Sequence, residues 1–294
     1  VMTAQDKPLL LMQQWLQHQL SPEAADWLSM TASALADGGS DRDLYLAVSL
    51  VPRKLGKADL VLTAGDLKDA DEARSGWRPV GWSVDQTARL VLMLQATPDG
   101  AEFSRRLEQL CITADVRESI AFYQGLPLYP DQARYVARAG EGLRTNMKAV
   151  FEAVAHNNPW PAEHFAQGTW NQMVLKAIFV GSRLDPVQGL DKRRNRDLAT
   201  TLSDYAHERW AASRAISPEL WRMIGPFADE TLFEDLRRVL GSDLLVERQA
   251  AALALRESPH DGASALLKSV PELISGIEVG LISWETVCRD APKP

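Results

Sequence analysis

Leu232-Phe233-Glu234-Asp235-Leu236-Arg237-Arg238-Val239-Leu240-Gly241-Ser242-Asp243-Leu244-Leu245-Val246-Glu247-Arg248-Gln249-Ala250-Ala251-Ala252-Leu253-Ala254-Leu255 carries the plainest architectural signal in the chain. Leu232, Leu236, Val239 and Leu240 recur at the three-and-four spacing of one helix face, and Gly241 closes that helix. Ser242 or Asp243 can cap a second helix, whose body runs to Leu255 before Ser258-Pro259 breaks it. Alanine at 250–252 and 254 leaves room for a neighbouring helix to approach closely. Two helices joined by so short a turn form a pair that buries its apolar stripes against its neighbours. That is the unit of a HEAT-like stack.

The same grammar extends outward. Leu107, Leu110 and Cys111 precede a Thr113-Ala114-Asp115 turn and a second helix carrying Val116, Ile120 and Tyr123. Leu9, Leu10, Met12, Trp15 and Leu16 form another stripe. Ser21-Pro22-Glu23 and Ser217-Pro218-Glu219 each place a capping serine before a first-turn proline and an acid, marking helix starts. Residues 56–81 mix Gly, Pro and charge, and read as an excursion between helices, with Asp66, Asp69, Asp71 and Glu72 on a solvated loop. Gly125-Leu126-Pro127-Leu128-Tyr129-Pro130 reads as a connecting turn. Strand alternation is absent from this reading. The expected fold is all-α, a HEAT-like α-solenoid of antiparallel helix pairs forming one domain over residues 1–294.

Composition narrows the function. A formal net charge of −7 and a pI near 5.4 argue against nucleic acid or an anionic membrane as the main partner. Cys111 and Cys288 lack the spacing of a thiolate zinc site or a disulfide framework. No stretch approaches the apolar length of a membrane helix, and the N-terminus lacks a basic segment followed by a long apolar one. These features lead us to expect a cytoplasmic, soluble protein. Gly-rich nucleotide loops, a nucleophile elbow and calcium loops are missing, and no cofactor is indicated. His207-Glu208 opens like a zinc-protease helix, but Ala211 stands where the second histidine is needed.

Residues 151–222 depart from this Leu/Ala-rich background, holding three of the five His, four of the nine Trp and four of the five Asn. Imidazole, amide and indole groups need partners when buried, so their concentration marks a candidate site. Glu152 and His156 are four apart, and Asp204 and His207 three apart. On helices each pair shares a face and could serve a divalent metal, an acid/base pair, or simple surface ion pairing. Asn157 and Asn158 precede Pro159-Trp160-Pro161 in a sharp bend, and Asn171 follows Trp170. These amides suit either a polar ligand or internal ties. Lys176 sits among apolar neighbours, with Glu208 as a possible partner. Arg193, with Lys192, Arg194 and Arg196, forms a basic loop open to phosphate binding or to local ion pairs. Asp204, His207, Ala211 and Arg214 are expected on one polar side, with Trp221 and Arg222 closing over it.

These strings resemble the EboA domain family of the bacterial ebo (or edb) gene cluster. The resemblance is carried by Ala155-His156-Asn157-Asn158-Pro159, Trp170-Asn171-Gln172-Met173-Val174-Leu175-Lys176-Ala177 and Asp204-Tyr205-Ala206-His207-Glu208-Arg209-Trp210-Ala211-Ala212. It continues through Ser217-Pro218-Glu219-Leu220-Trp221-Arg222 and the helix of 247–255, covering residues 103–259. The first hundred residues match it only in helical character. The resemblance implies a component of a small-molecule pathway with prenyltransferase-like and sugar-phosphate-cyclase-like neighbours and a prenylated or isoprenoid-type product, and it assigns no catalytic residue. The leading expectation is a protein that binds or scaffolds a pathway intermediate or another protein of the ebo pathway, using the polar residues of 151–222. The alternative is a metal- or acid/base-dependent enzyme acting through His156 and His207, supported by Asp204 and Glu208. A purely structural helical adaptor is the third.

Overall fold

The computed structural model describes residues 6–97 and 99–292. The N-terminal expectation above rests partly on residues 1–5, which lie outside the described residues. Among the described residues the regular structure is helical, and strand pairing is limited to an isolated bridge between Asp59 and Ser83. Contacts divide the chain into two compact units, 1–165 and 166–294.

The first unit holds α1 (Asp6–Gln19), α2 (Pro22–Ala36), α3 (Asp41–Leu55), α4 (Ala64–Ala73), α5 (Val84–Ala96), α6 (Gly100–Thr113), α7 (Val116–Gln124), α8 (Val136–Arg144), α9 (Lys148–Ala155) and α10 (Trp160–His164). Its starts follow capping chemistry. Ser21 accepts from the Ala24 amide, while Ser40/Asp43, Thr63/Asp66 and Asp115/Glu118 form reciprocal capping boxes. The expected turn at 113–115 is therefore present, with Asp115 as its cap. Residues 56–81 differ from the expected excursion because they include α4. Asp66 caps that helix and accepts from the Trp15 indole at 3.0 Å, so the acidic run lies on a helix rather than on a loop.

Helix α5 is the hub of this unit. It packs against α1, α2, α3 and α7, and every residue from 84 through 93 is buried. Two of these residues carry charge. Arg89 Nη1 donates to Asp85 Oδ2 at 2.5 Å, and Arg117 and Ser83 complete the carboxylate's shell. Burial alone would raise the Asp85 carboxyl, but the hydrogen bonds from Arg117, Ser83 and Arg89 hold it down at about 2.

The second unit holds α11 (Gln167–Phe179), α12 (Arg196–Ala211), α13 (Trp221–Ile224), α14 (Glu230–Leu240), α15 (Leu245–Arg256), α16 (Gly262–Leu267), α17 (Pro271–Glu278) and α18 (Trp284–Asp290). The α14 and α15 helices pack on each other as the opening stretch leads one to expect, with Gly241 ending α14. Alanines 250–252 are fully buried, and α13, α16, α17 and α18 all contact α15. The close approach is measurable at Gly225, where an added Cβ would lie 2.5 Å from the Ala254 carbonyl oxygen.

Two capping expectations fail here, and the first is that Leu244, rather than Ser242 or Asp243, stands at the N-cap of α15, with no side-chain cap bond. Ser217 makes no side-chain cap, and Pro218–Leu220 is a 3-10 turn rather than the first turn of an α-helix. Glu219 turns inward instead, and its Oε2 accepts the Leu184 and Asp185 amides at 2.8 and 2.9 Å. Burial raises its carboxyl against the lowering effect of those bonds.

Candidate functional site

The most reactive arrangement in the second unit grows from α12 and α14. Asn195 caps α12 through the Leu198 amide, and the buried stripe of Leu198, Leu202 and Ala206 sets which face turns inward. Ser203 and His207, one turn apart, lie beside that stripe and meet Asp235 of α14. Ser203 Oγ donates to Asp235 Oδ2 at 2.6 Å, and His207 Nε2 lies 2.6 Å from Oδ1. Facing a carboxylate, Nε2 is the protonated nitrogen, which leaves Nδ1 as the lone-pair atom of the neutral ring. The Asp235 side chain is only 8% exposed while that of His207 is 51% exposed, so a buried anion orients an accessible imidazole.

This is an acid/base dyad in form. It is not a hydrolytic triad, because hydroxyl and imidazole both donate to the same carboxylate and have no bond to each other. An aromatic wall adjoins it. Trp210 lies 5.4 Å from the His207 ring, stacks at 5.8 Å on the buried Trp221 ring, and carries the Arg238 guanidinium 4.0 Å above it.

The sequence-predicted residues distribute unevenly around this face. Asp204 is exposed on α12, and His207 takes its carboxylate from Asp235 rather than from Asp204. Glu208 is likewise exposed. Arg214 leaves the expected polar side, because α12 ends at Ala211 and Ser213 takes a left-handed backbone with φ 53°. Arg222 is held by Asp191 through two bonds of 2.9 and 2.8 Å and by Asp185 at 3.1 Å. Two of the basic residues pair with carboxylates far along the chain: Arg194 with Glu257 at 2.7 Å and Arg196, at the start of α12, with Asp229 at 2.8 Å.

Arg193 lies 4.9 Å over the Trp170 ring and donates to Gln167. Trp170 is fully buried, and its Nε1 has no hydrogen-bond partner among the described residues. Asn171 and Asn195 exchange reciprocal amide bonds of 3.1 and 2.9 Å, which tie α11 to the start of α12. Partial burial lowers the Lys176 ammonium.

In the first unit the block's other members are mostly ties. Asn158 is buried, donating to the Tyr123 and Ala153 carbonyls at 3.2 and 3.3 Å and accepting from the Trp160 amide at 3.1 Å. Asn157 supplies the left-handed bend at φ 49°, a conformation that asparagine tolerates. Glu152 pairs with Lys148 at 3.8 Å. His156 is the extended residue that ends α9, so it does not share a helical face with Glu152 as the spacing implied. Among the described residues no group of three or more His, Cys, Asp or Glu is arranged to hold a metal ion.

Sequence reasoning missed Asp235, Ser203 and Arg238. The available signal was an acid inside the buried face of α14, between Leu232 and Leu236, where an unpartnered carboxylate would be costly.

The fold and this face define a class: all-helical proteins that set an oriented imidazole beside a cation-capped indole, without a nucleotide or thiolate-metal fingerprint. A sequence model described as metabolite traffic protein EboA matches residues 9–225, and the chain belongs to the EboA family. That match begins within α1, so it takes in the N-terminal helices that the resemblance left out, and it ends before α14, the helix of Asp235 and Arg238. Comparisons with curated proteins and with solved structures gave no match. No helix among the described residues is long and apolar enough to cross a membrane.

Proposed function

We propose that this protein binds a small-molecule intermediate of its pathway and holds it for a partner enzyme, using the face of His207, Trp210 and Arg238. The observation that carries this reading is the half-exposed His207, oriented by buried Asp235 beside an indole that also meets Arg238 and Trp221. An oriented hydrogen-bonding atom next to an aromatic wall is what a ligand with one polar and one apolar part requires. The description of the family as metabolite traffic proteins supports a small-molecule partner. We further read the helices as a HEAT-like stack and the ligand as a prenylated or isoprenoid-type metabolite. Native mass spectrometry of protein purified from its host tests the reading. A copurified metabolite that is lost in Trp210→Ala supports it, and an empty protein sinks it.

The His207–Asp235 dyad also favours a second reading, acid/base catalysis on the same intermediate through His207. Under that reading His207→Gln abolishes turnover while leaving the metabolite bound. Under the binding reading no turnover exists to lose.

A further inference from the structure

We propose that the cleft between α1, α2 and α5 is a binding site for a small neutral polyhydroxylated molecule. The cleft lies within the first unit, and its volume of about 360 Å³ falls among small-molecule sites. It is open because α2 turns small side chains toward it. Ser29, Ala32 and Ser33 follow one another at helical spacing where longer residues would fill the space.

Its walls are rich in uncharged hydrogen-bonding groups. Gln13 and Gln17 come from α1, Gln95 from α5, and Ser29 and Ser33 from α2, with Asp26 the charged exception. Each carboxamide and hydroxyl both donates and accepts, which matches the dual character of a sugar-like hydroxyl. Buried Leu28, Ala32 and Val91 supply an aliphatic floor for the carbon skeleton.

Gln95 adds a specific demand. Its Oε1 has no hydrogen-bond partner among the described residues and is closed off from the open cleft, so it calls for a donor that it reaches once the carboxamide turns toward a bound molecule. A ligand hydroxyl meets that demand. Lysine, arginine and aromatic residues are missing from the described lining, so a phosphate ester finds no counter-charge there and meets Asp26 instead. A flat aromatic ligand finds no ring to stack on. The family match includes every described lining residue, so the cleft belongs to the part of the chain that the family defines.

Titration of the full chain with erythritol, xylitol, glucose and myo-inositol tests the proposal. The readout is the side-chain amide resonances of Gln13, Gln17 and Gln95, with glucose 6-phosphate as the anionic counterpart. At least one neutral polyol is expected to shift these resonances saturably and more tightly than the phosphate ester. Ser29→Trp, which fills the cleft from an exposed position, is expected to weaken that binding by about tenfold or more with an unchanged circular dichroism spectrum. Gln95→Leu is expected to weaken it as well. Three results would overturn the proposal: no saturable shift with any polyol, wild-type binding in Ser29→Trp, or tighter binding of glucose 6-phosphate. The readout is confined to cleft amides, so failure here is distinct from failure of the His207 reading.

Discussion

Glu219 is a carboxylate placed where a neutral group would serve nearly as well, because one oxygen accepts both backbone amides of Leu184 and Asp185. A glutamine keeps that acceptor and removes the buried charge. Since burial raises the Glu219 pKa, its contribution to stability is present below the unfolded value and is lost as pH rises through the folded one. Glu219→Gln is therefore expected to match the wild type in acid and to be more stable at pH 8, as checked by urea denaturation at both pH values. Asn158 is the opposite case, since it makes three hydrogen bonds that no apolar side chain reproduces. Asn158→Ala should lower unfolding free energy by about 3 kcal/mol, measured the same way, because it removes three buried hydrogen bonds at once. The concentration of polar residues in 151–222 was visible in the sequence, but their roles were not. Whether an amide faces a ligand or a backbone carbonyl depends on partners far along the chain. Asn158 reaches Tyr123, and His207 reaches Asp235.

Element spacing was the more legible level. The α14/α15 pair follows from periodicity and the Gly241 stop, and the α6/α7 turn from periodicity and the Asp115 cap, all local properties, whereas the expected cap of α15 at Ser242 or Asp243 did not form. Helix α4 escaped because its polar composition over 64–73 hides a capping box that only Thr63 and Asp66 together reveal. Helix α5 shows the complementary limit: buried on all sides through 93, it has no amphipathic stripe to read. The poly-alanine face of α15 has a direct mechanical test. Gly225→Ala would drive a methyl into the backbone of α15 at Ala254, which cannot move aside as a flexible side chain could. A loss of about 2 kcal/mol is expected from chemical denaturation, with Gly241→Ala as a milder comparison because its nearest neighbour lies at 3.4 Å.

Across the whole molecule, acid stability follows from charges that folding organises. Asp85 is held at about 2 within its arginine cage, below the roughly 3.9 of an unfolded aspartate. A depressed carboxylate contributes fully above the unfolded value, and its contribution disappears as pH falls from about 4 toward 2. The expected loss over that window is about 2 kcal/mol from Asp85 alone, read as a falling urea midpoint. Replacing the buried pair together, as Asp85→Leu with Arg89→Met, should flatten this acid slope and leave only the partly exposed Arg117, which water can solvate, without its carboxylate.

The order in which the chain leaves the ribosome gives the α5 hub a further meaning. Helices α1, α2 and α3 all precede the element that covers their apolar faces, and α7 follows it. During synthesis the first three helices must wait, with those faces open to water or to chaperones, until residue 96 has emerged. A translational pause just before α5 would prolong that exposure, whereas one placed after α7 would find the cluster already closed.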